Sequence, residues 1–73
     1  MVKFNVTFYF KTLERPLEYE IDGSAINPLR FDFVESKEKN RDIPVIVGNI
    51  QGSFAVVNLG DVSHITFEML PND

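Results

Sequence analysis

Val2-Lys3-Phe4-Asn5-Val6-Thr7-Phe8-Tyr9-Phe10 repeats with a period of two. Successive side chains of a strand point to opposite faces, so Val2, Phe4, Val6, Phe8 and Phe10 share one face. Lys3, Asn5, Thr7 and Tyr9 share the other. A helix would scatter the five apolar side chains around its circumference, whereas β-branched and aromatic residues suit a half-buried strand. Leu17, Tyr19 and Ile21 then alternate with Glu18, Glu20 and Asp22. Pro16 is tolerated at the first residue of that second strand. With Thr12–Arg15 as the turn, the two strands read as an antiparallel hairpin in which Lys3 and Lys11 oppose acids of the second strand.

The last third returns to the same grammar. Ile43, Val45 and Val47 share a face with Ile46 opposite, and Pro44 belongs at an edge or a strand start. Gly48–Gly52 reads as a turn. Residues 54–59 are apolar on both faces, with Phe54 and Val56 taken as inward and Ala55 and Val57 as outward. Gly60-Asp61 breaks the run, and Val62–Met69 sets Ile65, Phe67 and Met69 against His64, Thr66 and Glu68. The middle allows two readings. Leu29, Phe31 and Phe33 alternate and predict a short strand over 29–34, with a helical turn around residues 24–30. In the competing reading, Asn27-Pro28 opens a helix with Leu29, Phe33 and Lys37 on one face, leaving Phe31 off the stripe. The strand is preferred. Glu35–Asp42 has no apolar residue and reads as a mobile loop.

The expectation is an all-β domain over residues 1–70, with 71–73 as a frayed end. It is an antiparallel meander of five or six strands, since no βαβ crossover fits. A valine-rich strand, a tight Gly60-Asp61 corner and a short final strand resemble the small SH3-like or Sm-like barrels, which implies a partly closed barrel and no particular function.

Composition excludes several kinds of chemistry. A chain of 73 residues and 8.4 kDa has no cysteine, so disulfides, zinc-thiolate sites and thiol nucleophiles are absent. Monomer scaling gives roughly 4,600 Å² of folded surface, with about 60% of the extended chain's surface buried. So thin a core is usually supplemented, and the supplement left is apolar content, 44% hydrophobic, so the chain folds, alone or with copies of itself. The net charge is −4, and residues 43–73 carry Asp61, Glu68 and Asp73 without any lysine or arginine. Such a balance disfavours nucleic acid and anionic membranes. Residues 1–7 do not read as a signal peptide, and no apolar run approaches a membrane span, so the expected location is cytoplasmic.

No residue is assigned a catalytic, cofactor or metal role. Ser63 and His64 are adjacent in a strand and so expected on opposite faces, which breaks a nucleophile–base pair. Glu18, Glu20 and Asp22 read as the solvent side of a sheet. Asp61, His64 and Glu68 are spread too far along a strand to share a metal. Gly48, Gly52 and Gly60 read as turn residues. What remains is the run from Ile43 to Leu59, whose second face needs a cover. The chain therefore reads as a non-enzymatic module acting through protein–protein contact and self-association, a dimer being simplest, with Ile46, Ala55 and Val57 at the interface. One alternative is a nucleic-acid-binding barrel using Tyr9, Arg30, Lys37, Lys39 and Arg41. Another is a small-ligand-binding or enzyme subunit.

Overall fold

β1 (Lys3–Phe10) forms where the alternation places it, and it pairs on both sides. On one side lies β2 (Leu17–Asp22), antiparallel, with Phe4 opposite Ile21 and Phe8 opposite Leu17. On the other lies β5 (Val62–Met69), antiparallel, with Val6 opposite Phe67 and Phe8 opposite Ile65. The computed structural model describes residues 2–48 and 52–71. Between β2 and β5 the chain makes a 3-10 turn (Gly23–Ala25), the helix α1 (Ile26–Lys39), the hairpin strands β3 (Pro44–Gly48) and β4 (Phe54–Asn58), and a second 3-10 turn (Leu59–Asp61). The expected turn at Gly48–Gly52 falls in part on residues 49–51, and the expected frayed end in part on 72–73, outside the described residues.

Five strands thus form two antiparallel sheets, β2-β1-β5 and β3-β4. The predominance of β structure and all five strand positions agree with the sequence reading. Among the described residues the two sheets do not join into a closed barrel. Val6 and Phe8 are fully buried, as are Leu59 and Val62, and Val47 and Val57 complete the layer from the β3–β4 side. The hairpin register sets Lys3 opposite Asp22, as charge complementarity requires, while Lys11 lies beyond β2 and its amide donates to the Asp61 carbonyl at 2.8 Å. Thr12 adds a contact of its own, its hydroxyl donating to the Asp61 carboxylate at 2.7 Å. The β1–β2 turn is therefore tied to the corner that starts β5.

The middle of the chain departs from expectation. Residues 26–39 are one helix of 14 residues, replacing the predicted strand at 29–34 and residues 35–39 of the predicted loop over 35–42, of which 40–42 remain a connection. Ile26, Leu29, Phe33 and Ser36 fall at helical spacing on the side that meets the core, and Phe31 points to solvent at 70% exposure. Pro28 is accommodated in the first turn, where backbone N–H groups have no intrahelical partner. The last turn is held by polar contacts that hydrophobic patterning does not register. Ser36, 2% exposed, donates its hydroxyl to the Arg41 carbonyl at 2.6 Å. Asn40 ends the helix in the left-handed region at φ 51°, and its amide donates to the Ser36 carbonyl. Lys39 pairs with Glu35 at 2.9 Å and holds that carboxyl below its usual pKa. Lys37 donates to the Leu59 carbonyl at 3.2 Å. Both lysines also suit the negative end of the helix.

The packing sets the expected response to substitution. Phe8→Ala should cost about 3–5 kcal/mol in denaturant melts, because its side chain is wholly enclosed. Thr7 is 6% exposed in the middle strand, so Thr7→Ala should cost about 1 kcal/mol and not the few tenths of a surface site. Hydrogen exchange should show protected amides from Lys37 to Asn40, with fast exchange there contradicting the helix. Ser36→Ala should shorten that protection and lower stability by about 1 kcal/mol.

Candidate functional site

The run from Pro44 to Asn58 folds as a ribbon whose strands pair Val45 with Val57, Ile46 with Val56 and Gly48 with Phe54. Paired residues share a face. Val45, Val47, Ala55 and Val57 therefore form the inner side, with Val47 at 6% and Val57 at 2% exposure. Pro44, Ile46, Gly48, Phe54, Val56 and Asn58 form the outer side. Ile46, Phe54 and Val56 are each 73% exposed, among the largest apolar exposures of the described residues. The Phe54 ring lies across the strand over Gly48, where an added Cβ would sit 2.7 Å from its Cε1 atom. Gly48 is thus the seat of that ring. Neither strand carries a charge, on a chain of net charge −4.

This changes which expected interface residues reach solvent. Ile46 is outward as read, Ala55 is half-buried, and Val57 is in the core. Phe54 and Val56 take the outward positions instead. A strand apolar on both sides has no alternation to reveal its inner face, and that face is decided by which residues meet Phe8, Leu59 and Val62.

Of the residues of the nucleic-acid alternative, Arg30, Lys37 and Lys39 lie on α1, Arg41 just beyond it, and Tyr9 on β1. Tyr9 is on the outer face of the three-stranded sheet, its ring stacked on His64 at 4.2 Å and 9°. Arg30 lies on α1, which packs on the opposite face, beside Phe33, Val34, Ile65 and Phe67. Lys37 sits 5.2 Å above the Phe33 ring and bonds the Leu59 carbonyl. Lost hydration, then the nearby Lys11 ammonium, push its pKa below the usual lysine range. Lys39 is paired with Glu35, and Arg41 offers its carbonyl to Ser36.

Ser63 and His64 do meet, contrary to strict alternation: Ser63 Oγ is 3.1 Å from His64 Nδ1. The register of β1 with β5 shifts between Tyr9 and Phe10, and this bulge turns Ser63 back toward its neighbour. The Ser63 hydroxyl donates to the Tyr9 carbonyl at 3.0 Å. With its single proton so used, Oγ can only accept from Nδ1–H, the reverse of a base drawing a proton from a nucleophile. The Asp61 carboxylate receives the Thr12 hydroxyl, and the corner's amide at Gly60 is capped by the Asn58 side chain at 3.0 Å. A groove of about 240 Å³ runs between α1 and β3, with Ile21, Leu29, Asp32, Ile46 and Val47 among the residues that line it. Among the described residues no helix is long and apolar enough to cross a membrane.

The seat of Phe54 can be checked in solution. The Gly48 α-protons should resonate upfield under the ring current, and Phe54→Ala should return them to ordinary positions in a proton NMR spectrum. Unchanged shifts would remove the ring from Gly48.

Comparison with protein-family models, with curated proteins and with solved structures gives no match for this chain.

Proposed function

We propose that this protein is a non-enzymatic β module that works through self-association and protein–protein contact, with the outer face of the β3–β4 ribbon as its contact surface. The observation that carries the reading is the set Ile46, Phe54 and Val56, three large apolar side chains on one uncharged face at 73% exposure each. Apolar side chains gathered on one face mark an interaction site more strongly than the same residues scattered singly. The surface as a whole supports this. The chain exposes 5187 Å², about 600 Å² more than monomer scaling allows for its mass. The radius of gyration is 12.1 Å, against about 11 Å for a compact domain of this length. A second copy is the fitting occupant, because the ribbon is the stretch where two chains of net charge −4 approach without like charges meeting. A two-fold contact would set Ile46, Phe54 and Val56 of one chain against the same patch of the other.

Sedimentation equilibrium from low to high micromolar concentration should show a mass above 8.4 kDa that rises with concentration. Val56→Lys should lower that mass at every concentration and leave the melting of the isolated chain nearly unchanged, since the side chain points to solvent. Val57→Lys should instead unfold the chain. A mass fixed at 8.4 kDa throughout would end the proposal.

A further inference from the structure

The three-stranded sheet ends on two edges of different character. β2 presents Glu18, Glu20 and Asp22 along its length and starts beside Pro16. Charge and proline are the usual protections against strand addition. Laid antiparallel on its own copy, β2 would set carboxylates against carboxylates. β5 has neither protection. It runs for eight residues, Val62–Met69, with Glu68 as its acid and no lysine or proline, and Thr66, Glu68 and Met69 are exposed.

The hydrogen-bond phase shows which groups the β5 edge offers. The Leu70 amide donates to the Lys3 carbonyl at 2.9 Å, so alternate residues 68, 66 and 64 bond toward Asn5, Thr7 and Tyr9. The N–H and C=O groups of Ile65, Phe67 and Met69 then point away from β1. The bulge is confined to the start of the strand at Ser63, leaving 64–69 regular.

From this we infer that β5 pairs edge to edge with β5 of a second copy, antiparallel, with the two-fold axis at Thr66. That register uses the strand from end to end. Ile65 exchanges hydrogen bonds with Phe67 of the second copy and Phe67 with its Ile65, about four bonds in all. Thr66 meets its twin, and Glu68 lies opposite His64 of the second copy, so no carboxylates face each other. The product is a continuous six-stranded sheet, with α1 of both copies on the same side. There Val34, 50% exposed, and Arg30 flank a groove of about 140 Å³ with Phe33, Ile65 and Phe67, and Met69 is 65% exposed. The second helix covers this margin. The contact is separate from the β3–β4 face and needs none of its residues.

The test is made in the Val56→Lys chain, so that the ribbon contact is removed. Its mass should reach twice 8.4 kDa at high micromolar concentration, and adding Thr66→Lys, which brings two ammoniums together at the axis, should return it to 8.4 kDa. In a chain with no cysteine of its own, Thr66→Cys should cross-link with its twin under mild oxidation. The twins lie about 4.5 Å apart between Cα atoms, within disulfide range. Met69→Cys should not, because six residues of strand separate it from its twin by about 20 Å. A Val56→Lys chain that stays at 8.4 kDa, or a Met69→Cys chain that cross-links as fast as Thr66→Cys, overturns the edge pairing and leaves the ribbon reading standing. A wild-type chain that is monomeric throughout overturns both.

Discussion

Burial of one side of β1 is the constraint on which the rest of this structure depends. β1 is hydrogen-bonded along both edges, and Val6 and Phe8 retain no exposure. With so few residues and no cross-link, the apolar area for stability has to come from a single face, and every other element is placed by what it adds to that face. β2 and β5 extend it sideways. α1 and the β3–β4 ribbon cover it, bringing Leu29, Val47 and Val57 against it, and Leu59 and Val62 close the corner.

That economy has a cost at the periphery. Two covering elements share one three-stranded sheet, and the ribbon can bury only one of its sides. Val47 and Val57 are used, while Ile46, Phe54 and Val56 are left in water. The sheet itself ends on β5, whose outward amides and carbonyls lack the charge that shields β2. Both features are direct consequences of a small core: the chain has apolar side chains and strand edges in excess of what one copy can cover. The proposed self-association through them would supply the area that a longer chain finds within itself.

Polar contacts do the work of ending elements here. Ser36 occupies a core-facing helical position and remains satisfied by the Arg41 carbonyl. Lys37 reaches the Leu59 carbonyl, linking the helix to the corner before β5, and Thr12 reaches Asp61 from the other side. These few bonds tie the end of α1 and the β1–β2 turn to the corner before β5, and they account for a helix that continues to Lys39 with no hydrophobic residue after Val34.

The strands β1, β2 and β5 were legible from sequence because each has one wet and one dry face, and a period of two reports that difference directly. Position and pairing of the β1–β2 hairpin followed from the same pattern. The helix was not legible from it, because Leu29, Phe31 and Phe33 alternate by accident of composition while the core-facing stripe runs through Ser36. Lys37, Lys39 and the left-handed Asn40 were available signals of a helix end, weaker ones than apolar periodicity. The pattern shows the ribbon to be doubly apolar, yet it points to Ala55 and Val57 as the outward side, where the structure has Phe54 and Val56. Sequence alone determined that this segment carries more apolar surface than one face needs. Which side meets the core is a matter of register and of contacts with distant residues, Phe8 and Leu59 above all, and only the tertiary structure could decide it.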